Sequence, residues 1–420
     1  MNAVRNLFTP YRGMPREVYV IFAARIINAL GCFVMPLLTI ILTQSIGVSN
    51  QAAGFYISLA GLLYMPASLL GGKLADHVGR KKVIVLFDSL AAVLYILAGL
   101  IKPSMAIAYL VMLAGAGMAA AGPAHDSLLA DMTTPQNRKG AYALSYLGWN
   151  IGFSIGPVLG GILYRNHLAV VFIGDGVTAL LSLCLIMLFV KETVQRAQTE
   201  EFGPERSLEK REKGSVLAVL RKRPVLIYFA IIIFGYNFAY SQWGFLLPLQ
   251  IMRDFSQSGP AYFGLIAGFN GLVVMLFTPL VTKLTDGAED IRRMVLGGLL
   301  YALGFGMLGI LNSLPFFFLS AFIFTLGEIV MSISIAPFIA NRTPASHRGR
   351  MNAVIPIVMG MGHTVGPAVM GKVLTLMSVE GAWLLVGLVA AFSTLFMRRL
   401  EKSDNALNPC GVETGKAQVR

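Results

Sequence analysis

The sequence predicts an all-α membrane protein, with twelve transmembrane helices arranged as two pseudo-symmetric bundles of six. Three observations lead there. The 420 residues are 56% hydrophobic and 13% charged, with a mean hydropathy of +0.69, too little charge for a soluble chain of this size. The apolar residues fall in continuous runs, each near the ~20 residues that a helix needs to cross a hydrocarbon core about 30 Å thick. The second half of the chain also repeats the first at a fixed offset.

The runs lie near 18–42, 53–75, 83–101, 105–131, 141–163, 168–190, 224–250, 262–283, 294–312, 315–341, 351–376 and 381–398. They are continuous rather than alternating and too long for strands, which excludes a β-barrel. Helices are required because lipid offers backbone groups no partner. The first run is too long for a signal core and reads as an uncleaved first span. Shifting by 210 residues lays Lys73 on Lys283, Leu74 on Leu284, Asp76 on Asp286, Arg138 on Arg348, Gly152 on Gly362 and Gly156-Pro157 on Gly366-Pro367. Arg80 falls on Asp290 and Asp131 on Asn341, so the second copy has lost the charge pattern of the first.

The net charge of +13 sits in short connectors rather than in a patch for nucleic acid. The termini and the loops after spans 2, 4, 6, 8 and 10 hold 29 of the 34 Lys and Arg residues. This bias places both termini in the cytoplasm and the protein in the cytoplasmic, or inner, membrane. The polar, mixed-charge stretch between Lys191 and Arg223 is the longest interruption. It divides an N-terminal bundle, 1–195, from a C-terminal bundle, 223–400, through a linker at 196–222. The polar tail, 401–420, is expected to be disordered. Cys32, Cys184 and Cys410 are scattered and form neither a disulfide framework nor a metal spacing.

The loop after span 2 reads Gly71-Gly72-Lys73-Leu74-Ala75-Asp76-His77-Val78-Gly79-Arg80-Lys81-Lys82. Its glycines and charges specify a tight return between two spans, and the Asp76 carboxylate is suited to cap a helix N-terminus. The pattern G-G-x-L-A-D-x-x-G-R-K-K resembles the loop between helices 2 and 3 of the major facilitator superfamily of secondary transporters. That resemblance implies the facilitator fold, alternating access, and a cytoplasmic gate in which Asp76 and Arg80 take part. It also implies that Arg80 pairs with an acidic residue at the end of span 4, here Asp131. Gly72 and Gly79 belong to the same motif.

Span 5 contains Gly152-Phe153-Ser154-Ile155-Gly156-Pro157-Val158-Leu159-Gly160-Gly161. Gly152, Gly156 and Gly160 share one helix face and admit a close neighbour, while Pro157 permits a bend. The string is similar to the G-x-x-x-G-P-x-x-G-G signature of proton-coupled antiporters in the superfamily, with Gly161 as its last glycine. It directs the expectation toward export.

A charge at the centre of a span costs about 2.5–3.5 kcal/mol, so each such group needs a partner or a wet cavity. The candidates are Arg25, Asp88, His125, Asp126, Asp175, Glu328 and His363. Asp88 and Asp175 suit structural hydrogen bonds, and His363, in a small-residue stretch, reads as a satisfied packing histidine. In the facilitator fold spans 1, 4, 7 and 10 line the cavity, which favours Arg25, Asp126 and Glu328 for proton coupling and substrate. Arg25 and Asp126 come out at similar depth at ~1.5 Å per residue, and an intramembrane ion pair between them is expected. Glu328 lies near the middle of span 10, where a carboxylate is hardest to keep ionised, so it is poised to take a proton or a cation.

Thr325-Leu326-Gly327-Glu328-Ile329-Val330 and the loop Gln136-Asn137-Arg138-Lys139 resemble the LmrP-like multidrug efflux branch of the superfamily. The sequence departs from that branch at Ser145 and at Trp243-Gly244, where such proteins carry acidic residues. The apolar stretch 109–113 replaces their span-4 basic residue. Both departures count against cationic drugs and leave Arg25 free to serve an anionic or neutral substrate. Tyr236, Asn237, Tyr240 and Trp243 in span 7, with His125, are candidates for lining an amphipathic pocket.

There is no P-loop, no HExxH and no Cys/His cluster. The expectation is therefore a monomeric transporter and not an enzyme. It would use the proton as coupling ion and no other cofactor, with a small amphipathic molecule, protons and lipids as its partners. Proton-coupled export comes first. Proton-coupled uptake of a metabolite, or flipping of a lipid-like substrate, is the alternative in the same fold.

Overall fold

The computed structural model describes residues 13–193, 224–311, 313–342 and 348–407, and their regular structure is entirely helical. The expected linker at 196–222 lies outside the described residues, as does the chain beyond 407. Among the described residues the helices fall into twelve, numbered in chain order. α1 runs Arg16–Leu30 and resumes as Val34–Ile40 with a π turn at Ile41–Ile46. α2 is Asn50–Val78, α3 Arg80–Leu100 and α4 Met105–Asp131. α5 runs Pro135–Phe153 and resumes at Gly156–Tyr164, and α6 is Leu168–Phe189. α7 runs Pro224–Ser241 and resumes at Leu246–Phe255. α8 is Gly259–Leu284, α9 Asp290–Gly306, α10 Leu314–Arg342, α11 Arg348–Val373 and α12 Val379–Leu407. Among the described residues ten stretches are long and apolar enough to span a bilayer, and one of them, Val225–Leu284, contains both α7 and α8.

Local chemistry sets the boundaries. Ser49 caps α2 by accepting from the Ala52 amide at 3.2 Å. Thr134 and Asn137 form a reciprocal capping box at the start of α5. Gly79, at φ +122° and ψ 145°, turns the chain directly from α2 into α3, a conformation that only glycine adopts readily. α12 continues through Glu401, whose carboxylate pairs with Arg292 of α9 at 3.3 Å. It ends at Leu407, so the first turns of the segment expected to be disordered are helical.

The break in α1 follows Gly31, where the Phe33 amide turns back to the Gly31 carbonyl at 2.7 Å. The break in α7, from Ser241 to Phe245, lies 210 residues on, so the internal repeat extends to an interruption in each first helix.

The chain forms two compact units, Met1–Glu201 with Leu247–Met275, and Phe202–Leu246 with Leu276–Arg420. In the first unit α1 packs along α5 and α6, α4 packs along α2 and α3, and α3 also packs along α6. Val18, Ile21, Ala24, Ala75, Ile84 and Leu128 belong to its core. In the second, α9 packs against α10 and α12, and α7 packs against α11 and α12. Trp383, Phe305 and Phe324 are fully buried there. Leucines such as Leu69, Leu70 and Leu86 in one unit and Leu299 and Leu303 in the other remain exposed. Lipid tails are as apolar as leucine, so such faces need no protein cover in a bilayer.

Candidate functional site

The charged turn between α2 and α3 is held by the ends of two other helices. Arg80 reaches Asp131 at 3.2 Å and Asp76 at 3.3 Å, and its guanidinium also donates to the Ala75 carbonyl. Asp131 further accepts from the Thr193 hydroxyl at 2.8 Å. Asp76 was expected to cap a helix. It lies instead on the exposed side of the Arg80 guanidinium, and the cap on α3 is Glu192. This carboxylate accepts from the Arg80 amide at 2.9 Å and the Lys82 amide at 3.4 Å. It meets the positive end of the helix dipole, an arrangement worth ~0.5–2 kcal/mol. Lys81 answers in the opposite direction, donating to the Met187 and Val190 carbonyls at the end of α6, each at 2.7 Å. Glu192 follows span 6 directly and is the acidic residue there. That position was the one sequence cue to its role.

The α5 glycines mediate close packing on two sides. Side chains at Gly152, Gly156 and Gly160 would overlap α1, at Ile26–Leu30 and at Phe33. Gly161 instead abuts Pro260 and Ala261 of α8, and Pro157 sits in the first turn after the break. Just above the α1 break, Asp175 of α6 is buried and accepts from the Val34 amide at 3.1 Å, so it caps the resumed helix.

The expected Arg25–Asp126 pair does not form. Asp126 is exposed, its backbone carbonyl accepting from the Tyr142 hydroxyl at 2.9 Å, and the Arg25 Nε is buried without a hydrogen-bond partner. Equal depth did not bring them together because α1 packs along α5 and α6, while α4 packs along α2 and α3. His125, considered for a substrate pocket, is engaged elsewhere: its Nε2 lies 2.8 Å from Asp88 Oδ2.

In the second unit a group of aromatic rings packs near the middle of α10, on the turn before Glu328. Tyr240 stacks on Tyr301 with centroids 5.7 Å apart, and also meets Trp243 at 6.3 Å and His363 at 6.4 Å. Trp243 meets Phe324 at 6.4 Å. Phe324 precedes Glu328 by one helical turn and shares its face. Gly327 packs on the Tyr301 ring, and the Glu328 charge lies within electrostatic reach of Tyr301. Tyr240, Trp243 and Glu328 are partly exposed, so rings and carboxylate can contact a guest. His363 is not the satisfied packing histidine expected. It is exposed and forms no hydrogen bond among the described residues. Tyr236 and Asn237 do not join the accessible group. The Tyr236 ring is buried, with its hydroxyl donating to Thr394 at 3.1 Å, and the Asn237 amide is spent on the Met359 carbonyl at 2.8 Å.

Comparison with known proteins places these features in a lineage. The model of the Major Facilitator Superfamily matches residues 21–305 and 290–413. The chain is 26% identical over 365 residues to the MFS-type transporter YttB of Bacillus subtilis, covering 84% of this chain and 87% of that one. It is 23% identical over 362 residues to a Na(+), Li(+), K(+)/H(+) antiporter of Planococcus maritimus, covering 80% and 84%. A POT family transporter crystallised with a thioalcohol-conjugated peptide superposes with a TM-score of 0.78 at 16% identity, over 94% of this chain and 97% of that one. Twelve helices, the internal repeat, the charged turn after α2 and a family match across nearly the whole chain agree: this protein is a membrane transporter of the Major Facilitator Superfamily.

Proposed function

We propose that the protein is a proton-coupled exporter of small amphipathic compounds, of the drug/proton antiporter branch. It would work by alternating access in the inner membrane with both termini in the cytoplasm. The observation that carries this reading is Glu328, a partly exposed mid-span carboxylate next to Gly327, which packs on the buried Tyr301 ring; the partly exposed Tyr240 stacks on that ring and meets Trp243. Aromatic faces accept flat or amphipathic guests without demanding one pattern of hydrogen bonds. A carboxylate in that setting exchanges a proton for a guest at little structural cost. The Arg80–Asp131 pair serves as part of the cytoplasmic gate. Related chains named as exchangers or resistance proteins support the direction. Besides the Planococcus antiporter, they include the class H tetracycline resistance protein of Pasteurella multocida, 24% identical over 220 residues and covering 52% of this chain.

The second reading, uptake of an aromatic acid, draws on the unpartnered Arg25 Nε. It is also supported by 25% identity over 381 residues with the 3-(3-hydroxy-phenyl)propionate transporter of Escherichia coli.

The test uses inside-out vesicles carrying the protein, an imposed pH difference and a panel of fluorescent amphipathic dyes and aromatic acids. Export predicts dye accumulation with proton release from the vesicles. In Glu328→Gln that accumulation falls by at least about tenfold, the value of one charged contact of ~1.5–3 kcal/mol. Gradient-driven transport at the wild-type rate in E328Q refutes the role of Glu328. Acid movement together with protons, and no dye movement, selects uptake.

A further inference from the structure

Outside the Glu328 site, an acid–base pair of side chains lies half-buried within the spans among the described residues. Asp88 of α3 and His125 of α4 meet at 2.8 Å with side chains 15% and 14% exposed. Each is the other's only hydrogen-bonding or ionic partner among the described residues. The pair lies two helical turns into α3 from Arg80 and less than two turns before Asp131, ~9–12 Å from the charged end. Arg80–Asp131 and Asp88–His125 are therefore two rungs between the same two antiparallel helices. The outer rung joins a guanidinium to a carboxyl group. The inner rung carries two full charges only when the imidazole holds a second proton.

The surrounding helices leave this rung to itself. α2 brings Lys73, Asp76 and His77 to the same end, and α4 adds Asp126 and Asp131. α5 contributes Arg138 and Tyr142, whose hydroxyl goes to the Asp126 carbonyl. α6 contributes Cys184, while its Asp175 is committed to Val34. None of these is hydrogen-bonded or paired to Asp88 or His125.

We propose that Asp88–His125 is a proton-binding site distinct from Glu328. It loads from the end of the molecule that the positive-residue bias assigns to the cytoplasm, and it sets how firmly α3 and α4 are clamped there. The chemistry is the uptake of one proton by the neutral imidazole from hydronium on the aqueous side: one hydronium O–H bond breaks, one ring N–H bond forms, and water is released. It takes the pair from a net charge of −1 to a neutral carboxylate–imidazolium ion pair. Attraction between two full charges in a low-dielectric setting exceeds that between a carboxylate and a neutral imidazole, so the loaded form holds the helices together more strongly. The site thereby makes the gate at Arg80–Asp131 responsive to cytoplasmic pH. The site itself does not depend on which compound is carried or in which direction.

The test has two arms, both on the full chain. In the first, purified protein in detergent is titrated between about pH 5 and pH 8. His125→Asn retains a hydrogen bond to Asp88 but cannot titrate, and it is expected to bind one proton fewer than wild type. E328Q is expected to keep the His125 step. An unchanged proton count in H125N overturns the proposal, whatever E328Q does to transport. In the second, inside-out vesicles are assayed with the lumenal pH fixed and the external pH, that of the cytoplasmic face, varied. Wild type is expected to show a pH-dependent transition that is flattened in H125N and displaced in Asp88→Asn. Coincident profiles for wild type and both variants overturn the proposal. Should H125N not fold, His125→Gln and D88N, which also retain a hydrogen bond, are read in the same way.

Discussion

Replacing Gly79 by alanine tests whether the turn after α2 is fixed by its backbone and by Glu192 together. Gly79 has φ +122° and ψ 145°, and a Cβ there would lie 2.8 Å from the Glu192 Cδ. The backbone conformation alone costs a non-glycine residue ~1–3 kcal/mol. Displacing Glu192 from the amides of Arg80 and Lys82 removes a cap worth ~0.5–2 kcal/mol. Gly79→Ala should therefore destabilise by ~1.5–5 kcal/mol. Gly287, in the turn before α9, is the control. Its φ is +76°, yet a Cβ there would meet nothing within 4 Å, so Gly287→Ala incurs only the left-handed penalty of ~1–2 kcal/mol. The assay is unfolding of the purified full chain in detergent, by heat or by titrated SDS. Glu192→Ala alone should cost ~1 kcal/mol, and the double variant should lose less than the sum, because the overlap is gone once Glu192 is shortened. Equal losses in G79A and G287A, or strict additivity with E192A, would refute the reasoning.

Two other outcomes are expected. Asp175→Asn keeps an oxygen for the Val34 amide and should cost less stability than Asp175→Ala, which leaves a buried donor unmet at ~1–3 kcal/mol; the same unfolding assay ranks them. Trp243→Ala and Tyr240→Ala should weaken the apparent affinity for aromatic substrates by ~0.5–1.5 kcal/mol per lost ring contact. Tyr236→Phe, at a buried ring, should leave affinity unchanged, and substrate titration of vesicle transport checks all three.

The spans, the repeat and the charged turn were legible in the sequence because lipid demands continuous apolar helices and puts positive charge at their ends. Each signal is local, carried by a run of residues or a short motif. What sequence reading missed depends on which helices touch. Glu192 caps a helix 112 residues earlier in the chain, and that requires α6 to end beside the start of α3. The Arg25–Asp126 pair failed because depth along a helix says nothing about the direction a side chain faces. Asp88 and His125 were each recognised as anomalous, but their meeting required the packing of α3 on α4. In span 7 every aromatic looked alike. Only the packing of α7 on α11 and α12 separates buried Tyr236 from accessible Tyr240 and Trp243.

The interruption in α1 ties one helix to another. With Asp175 fastened to its restart, the outer segment of α1 cannot swing without taking α6 along or giving up a buried hydrogen bond. The matching interruption in α7 has Leu385 at the position equivalent to Asp175, and its turn includes backbone bonds from Gln242 to Ala239 and from Phe245 to Gln242. The repeat thus keeps an interruption in each first helix while changing the residue at the anchoring position, and the second interruption lies on the helix that carries Tyr240 and Trp243.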